Sequence, residues 1–155
     1  MKNDCIILFA EACRSVMKSA ANMDITIGEQ YVKTSPFASN TIAVIIGITG
    51  DIKGQVIFSM SVDVACDIAS SMMLGMQVNE LDELSKSAVT EAANMILGNA
   101  ATLLYNKGIK IDITPPTLLT GENMQVSTIN KMETRCIPLN ISTGGKMELD
   151  IAFAQ

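Results

Sequence analysis

The stretch that most constrains the fold is residues 81–107, LDELSKSAVTEAANMILGNAATLLYNK. At about 100° per residue, one set of apolar side chains falls between about 100° and 220° from Ser87. This set is Leu81, Ala88, Val89, Ala92, Ile96, Ala100 and Leu103. The spacing predicts one long amphipathic helix over 81–107 whose apolar side packs on a core.

The opposite side of this helix is unusual because it is built mainly from small residues. Ser87, Thr90 and Gly98 lie there together with Glu91 and Asn94. Glu91 and Asn94 stand one turn apart and point the same way, so the face presents a carboxylate and an amide on a low surface. Such a face is suited to the close approach of a partner. Taken alone, however, a Glu-x-x-Asn pair is more often two ordinary solvated residues.

Length, charge and hydropathy limit the possible partners. The chain has 155 residues, which predicts a single domain over 1–155. Its net charge is −5, and no Lys/Arg cluster occurs, so neither nucleic acid nor an anionic membrane is an expected partner. No apolar run approaches the ~20 residues of a bilayer span. The apolar run at the start is short and contains Glu11, so we expect no signal peptide and a cytoplasmic location.

The residues available for chemistry exclude several kinds of site. There is no histidine, which removes Ser-His and Cys-His catalysis. The four cysteines are scattered without a C-x-x-C pair and are most simply core residues. With no His and no clustered carboxylates, the sequence predicts no metal site and no cofactor of its own.

The rest of the chain predicts a helix followed by strands in each half. Residues 4–22 have the apolar spacing of a first helix, and Ser61 is expected to cap a second helix that Gly75 ends. The first half has three strand segments: ITIGEQYVKTS, which is broken at Gly28, the central strand TIAVIIGITG (41–50), and QVIFSM, which follows a DIKG turn. The second half begins with IDITPPTLLTG, which Pro115 and Pro116 keep at an edge of the sheet. METRCIPLNIST and KMELDIAFA then form a hairpin across Gly144-Gly145. This order predicts an α+β fold, a mostly antiparallel sheet with long helices packed on one face and two pseudo-similar α-βββ halves.

A spaced pattern extends from the long helix into the following strand segment. It is Ser87-AVT-Glu91-AA-Asn94, then twenty residues, then Pro115. This pattern resembles the motif of the CheC/CheX/FliY family of chemotaxis phosphatases, and the CheX members most closely. The hairpin TGDIKGQVIFSMS, followed by a helix ending in MMLG, is similar to the central segment of that family.

The resemblance implies a substrate, the aspartyl phosphate of a CheY-like response regulator. It implies that Asn94 orients the attacking water and that Glu91 engages a lysine of the regulator. It also implies that the regulator supplies the Mg²⁺. Ser87, Thr90 and Gly98 are then expected to contact the partner, while Pro115 or Pro116 shapes the strand beside the helix.

Two further expectations concern the number of sites and of chains. Some family members repeat the motif on the first helix, but here Arg14 stands where an Asn would follow Glu11. We therefore expect one active site per chain. CheX-like members are homodimers, and the strands near the C-terminus (METRCIPLNIST, KMELDIAFA) are expected to have bare edges that pair across a two-fold axis.

Two other functions remain as alternatives. One is a non-catalytic adaptor or flagellar-switch-type module of the same fold, because an acidic, flat helix face also suits binding alone. The other is an enzyme acting on a small molecule, which the missing histidine and the absence of a glycine-rich phosphate loop disfavour.

Overall fold

The computed structural model describes residues 2–32, 41–121 and 133–154. These ranges contain three helices and one eight-stranded sheet. In chain order the elements are α1 (Lys2–Ala21), β1 (Ile25–Ile27), β2 (Tyr31–Val32), β3 (Thr41–Gly50), β4 (Gly54–Ser61), α2 (Val62–Met72), α3 (Glu83–Tyr105), β5 (Ile111–Ile113), β6 (Thr117–Gly121), β7 (Thr134–Ile141) and β8 (Lys146–Phe153).

The sheet is antiparallel throughout and has an internal two-fold relation. Its order is β1-β7-β8-β4-β3-β5, with β2 also paired to β7 and β6 also paired to β3. The central strands β4 and β8 pair from Gly54 opposite Phe153 to Met60 opposite Met147. The pair of Ile57 and Asp150 is the midpoint of this ladder and so marks the centre of the two-fold relation. The short strands β1 and β2 lie on β7 as β5 and β6 lie on β3. The predicted α+β class and the two similar halves are confirmed.

Two details of the sheet differ from the sequence prediction. Two segments that were predicted as single strands, ITIGEQYVKTS and IDITPPTLLTG, each form two short strands in the described residues. The strand is interrupted around Gly28 in the first segment and at Pro115-Pro116 in the second. The expectation of bare edges on the C-terminal hairpin is wrong. β8 lies between β4 and β7, and the outer side of β7 is covered by β1 and β2, which return from the start of the chain.

The three helices pack on one face of the sheet, as predicted. Alternate residues of β3, from Ile42 to Ile48, point into this core, where Phe9 of α1 meets Phe153 of β8 with ring centroids 6.1 Å apart. Ser61 caps α2 as expected, since its hydroxyl oxygen accepts a hydrogen bond from the Val64 N–H at 3.2 Å. Within the described ranges, no helix combines the length and apolar character needed to cross a bilayer.

Helix α3 is shorter than the predicted 81–107, and its buried side is displaced. Leu81, Ala88 and Leu103 were expected in the core but are only partly buried. The fully buried residues are Ser85, Val89, Ala92, Ala93, Ile96, Leu97, Ala100 and Leu104. The stripe is displaced because α3 packs against α1 and α2 as well as against β5 and β6. The face that carries Ser87, Glu91 and Gly98 stays exposed.

The N-terminus of α3 is fixed by Asp82. One of its carboxylate oxygens, Oδ1, accepts hydrogen bonds from the Ser85 N–H at 2.8 Å and from the Ser85 hydroxyl at 2.7 Å. These two bonds hold the pKa of Asp82 below its ordinary value. This cap sets where α3 begins and therefore the rotational position of every later residue on the helix.

We predict that Asp82 makes the free energy of unfolding depend on pH in the acid range. A folded-state pKa below the unfolded one gives a contribution that is complete above the ordinary value of 3.8 and is lost as pH falls below it. Urea unfolding from neutral to acid pH measures this dependence. Asp82→Asn keeps a capping oxygen without the charge and should flatten this part of the profile. If the free energy of unfolding of Asp82→Asn depended on pH as steeply as that of wild type, this role of Asp82 would be contradicted.

Candidate functional site

A surface groove lies between the exposed side of α3 and strand β6. The helix forms one wall and the strand forms the other. The lining residues are Glu83, Lys86, Ser87, Thr90, Glu91, Asn94, Pro116, Leu118 and Thr120. The structure thus brings together five of the residues singled out from the sequence, namely Ser87, Thr90, Glu91, Asn94 and Pro116. Gly98 and Pro115 do not line the groove.

The strand wall is positioned by a contact between Thr114 and Gly47 of β3. The Thr114 N–H donates to the Gly47 carbonyl at 3.0 Å, and the Gly47 N–H donates to the Thr114 hydroxyl oxygen at 2.8 Å. A Cβ on residue 47 would lie 3.1 Å from the Thr114 methyl, so glycine allows this close approach. The two prolines follow directly, and Pro116 faces the groove while Pro115 is exposed outside it. Of the two prolines, only Pro116 is therefore placed to shape the site.

Glu91 and Asn94 are not engaged inside the protein. Glu91 is exposed and Asn94 is half-buried. Within the described parts of the chain, neither side chain has a hydrogen-bond or ion-pair partner. An unpaired carboxylate can attract a cation, and a free amide can both donate and accept hydrogen bonds. The groove therefore presents two polar groups whose bonding capacity is available to an external partner.

The other polar groups of the groove are partly used by α3 itself. The Thr90 hydroxyl donates to the Lys86 carbonyl at 2.8 Å, so only its lone pairs remain for a partner. Lys86 lies 3.6 Å from Glu83 and offsets its charge at the N-terminal end of the groove. Among the described residues that line the groove, Glu91 is the carboxylate that forms no ion pair.

Four lining residues were not identified from the sequence. Glu83 precedes Ser87 by four residues and Lys86 precedes Thr90 by four, so helical spacing alone could have identified them. Leu118 and Thr120 belong to the strand wall, and their position depends on the pairing of β6 with β3. That register cannot be read from local sequence, because it depends on residues more than seventy positions apart.

The other half of the fold has a comparable groove beside α1, with different chemistry. Its lining includes Glu11, Arg14, Gly28, Gln30 and Ile137. Here the Arg14 guanidinium pairs with the Glu11 carboxylate. The described α1 residues that line this groove therefore do not include the unengaged carboxylate and amide that α3 presents.

A cluster that the sequence did not reveal lies on strands β7 and β8. Ligand-type atoms of Cys136, Glu148 and Asp150 lie within 4.8 Å of one another. The expectation of no clustered carboxylates is wrong here, because pairing of β7 with β8 sets Cys136 opposite Asp150. The Cys136 thiol donates to Glu148 at 3.1 Å, and the Tyr31 hydroxyl donates to the same oxygen at 3.4 Å. Burial raises the pKa of the Cys136 thiol, which keeps it protonated.

We predict that the purified protein holds no stoichiometric Zn²⁺ or Mn²⁺. A cysteine binds these metals as its thiolate, and Cys136 is held as a hydrogen-bonding thiol. Elemental analysis after extensive dialysis measures the metal content. One equivalent of metal that disappears in a Cys136→Ser variant would contradict this prediction.

Comparison with known proteins places the chain in a family. The family model "Chemotaxis phosphatase CheX" matches residues 42–140. The CheY-P phosphatase CheX of Thermotoga maritima is 37% identical over 112 residues, which are 72% of this chain and 70% of that protein. The crystal structure of a CheC-like superfamily protein from Shewanella sp. PV-4 has a TM-score of 0.88 and 27% identity, with all of both chains covered. CheX in a CheX–CheY–BeF₃–Mg²⁺ complex from Borrelia burgdorferi has a TM-score of 0.80 and 29% identity over 97% of each chain.

The fold and its eight-stranded antiparallel sheet are those of the CheC-like proteins. Within that class, the chain belongs to the CheX family of chemotaxis phosphatases.

Proposed function

We propose that this protein hydrolyses the aspartyl phosphate of a CheY-like response regulator, with α3 presenting Glu91 and Asn94 to the phosphorylated site. The observation that carries the proposal is the pair of side chains itself. A carboxylate and an amide stand one turn apart on the outer face of α3 and are not engaged elsewhere in the described structure. The Thermotoga relative is a CheY-P phosphatase, and the Borrelia relative forms a complex with CheY, BeF₃ and Mg²⁺.

The reaction needs little from the phosphatase beyond positioning. A water oxygen attacks phosphorus in line with the leaving aspartyl oxygen, the P–O bond to the regulator breaks, and the free carboxylate and inorganic phosphate result. In this proposal the Mg²⁺ is held by the regulator, and the phosphatase contributes no metal or cofactor of its own. Asn94 accepts a hydrogen bond from the water through its side-chain oxygen and donates from its amide NH₂. Held in this geometry, the water reacts faster without a strong base.

Glu91 has a different role in this proposal, which is docking. Its carboxylate pairs with a lysine beside the regulator's phosphoryl group and fixes the register of α3 on the partner. Ser87, Thr90 and Gly98 extend the contact surface along the helix, and Pro116 forms the facing wall. The reaction takes place in the cytoplasm, where we place both proteins.

The first experiment separates an enzyme from an adaptor. The purified protein is mixed with several phosphorylated response regulators, and loss of phosphate is followed for each. Our proposal predicts accelerated loss for at least one regulator. A non-catalytic adaptor or flagellar-switch-type module would instead bind a regulator while phosphate decays at the regulator's own rate.

We also propose that the protein is a homodimer with one site per subunit. The C-terminal hairpin is interior to the sheet, so the candidate surfaces for pairing are the outer strands. Among the described residues, β1, β2, β5 and β6 each pair with a strand on one side only. Such edges favour association of two chains. Sedimentation should therefore give twice the chain mass, and a single 16.6 kDa species at micromolar concentration would contradict the dimer.

A further inference from the structure

Gly98 occupies a place in α3 where glycine weakens the helix. It lies well inside Glu83–Tyr105 and is exposed. Glycine is the least favourable residue for a helix interior apart from proline, because it loses the most backbone freedom. An alanine would stabilise the helix unless something prevents it.

The fold itself provides no cause. A Cβ added to residue 98 would meet no heavy atom within 4 Å, and its φ is not positive. The other eight glycines with described surroundings each show at least one of two reasons. A Cβ would lie 3.2 Å or less from a neighbouring atom at Gly28, Gly47, Gly50, Gly54 and Gly145, and φ is positive at Gly50, Gly75, Gly108 and Gly144. Among these nine glycines, Gly98 alone shows neither.

The position of Gly98 on the helix supplies a cause outside the fold. It follows Asn94 by four residues and Glu91 by seven, so all three lie along one exposed row. The neighbouring Met95 is 38% exposed. The Thr102 hydroxyl donates to the Gly98 carbonyl at 3.2 Å, so this hydroxyl is turned back onto the helix. The Cβ position of residue 98 is thus open space beside the two candidate functional side chains.

We propose that Gly98 is a positioning residue, the point where the response regulator packs directly against the α3 backbone so that Asn94 reaches the phosphoryl group. This inference rests on the proposed function. Asparagine has a short side chain, so its amide reaches a partner only if the helix comes close. A methyl group at 98 would hold the helix away, and a misplacement of about 1 Å can cost roughly 10² in rate. Gly98 itself does not touch the reacting atoms.

The test compares Gly98→Ala with wild type in folding and in catalysis. The melting temperature should rise by about 2–4 °C, because alanine favours the helix and has free space here. The value of kcat/KM on a phosphorylated regulator should fall by about tenfold or more, with kcat reduced as well as KM raised. Gly98→Leu should lower kcat/KM further than Gly98→Ala does. Ser15→Leu places a leucine on the exposed side of α1 and should leave kcat and KM unchanged.

A second variant tests reach directly. In the Gly98→Ala background, Asn94→Gln lengthens the amide side chain by one methylene and should recover part of kcat, whereas Asn94→Gln alone should lower it. Recovery supports the proposal, and its absence overturns the reach argument. A lower melting temperature in Gly98→Ala would show that the fold requires this glycine and would also overturn it. If wild type is active and Gly98→Ala keeps the full kcat/KM, this inference fails and the proposed function stands. If wild type does not accelerate decay, the proposed function fails and the inference with it.

Discussion

Replacing Asn94 by alanine is expected to slow dephosphorylation of the regulator by about 10²–10³-fold, by analogy with loss of a single oxyanion-hole donor. The affinity for the activated regulator should change little. In the proposed mechanism the amide contacts the attacking water, a contact that matters in the transition state more than in the ground-state complex. Loss of such an interaction lowers kcat and kcat/KM together.

Two measurements and one control make this prediction specific. Decay of labelled phospho-regulator gives the rate, and titration with beryllofluoride-activated regulator gives the affinity. Asn99→Ala removes the same side chain from the same helix at a position outside the groove and should behave as wild type. If Asn94→Ala retained wild-type decay, the water-positioning role would be lost and α3 would be a docking surface only.

Replacing Glu91 should weaken binding as well as turnover, which separates its role from that of Asn94. Removing a hydrogen-bonded charge costs about 1.5–3 kcal/mol, so Glu91→Ala should raise Kd by about 10-fold to 100-fold. Glu91→Lys should bind more weakly still, because it places like charges together. Raising the salt concentration should narrow the difference between wild type and the two variants, since ions screen the attraction.

The control for Glu91 must separate local pairing from overall charge. Glu29→Lys makes the same change of charge on an exposed residue that lines neither groove. Its binding should stay close to that of wild type. Equal losses in Glu29→Lys and Glu91→Lys would show that only net charge matters, and a Glu91→Ala variant with unchanged Kd would remove the docking role.

Neither Asn94→Ala nor Glu91→Ala should unfold the protein. Both side chains project from the outer side of α3 and make no hydrogen bond or ion pair with the described residues. Surface changes of this kind usually alter the free energy of unfolding by less than about 0.5 kcal/mol. Loss of function in either variant is therefore attributable to the site rather than to the fold.

The parts of the fold that were predictable from sequence are those set by local signals. The β3–β4 hairpin, the Ser61 cap and the long helix follow from hydrophobic period, a capping side chain and turn residues. The helix-borne part of the groove follows from the same spacing, because residues three and four apart share a face. The part of the candidate site on α3 was therefore predictable without knowledge of tertiary contacts.

The parts that were not predictable depend on long-range pairing. Strands β1 and β2 pair with β7, which is more than one hundred positions away in the sequence. Local sequence does not show this pairing, so the prediction that the C-terminal strands form an edge was wrong. The β6 wall of the groove and the Cys136 cluster arise from sheet register. The displaced stripe of α3 has a similar origin, since α1 and α2 cover helix positions that a sheet alone would leave open.

The central claim is that the protein turns over a phosphorylated response regulator through Asn94. The most direct measurement is phosphate release from a regulator in large molar excess over the protein, for wild type and Asn94→Ala. We predict many phosphates released per wild-type molecule, and release near the regulator's own rate with Asn94→Ala. Release at the regulator's own rate with wild type, in the presence of a demonstrated complex, would contradict the claim.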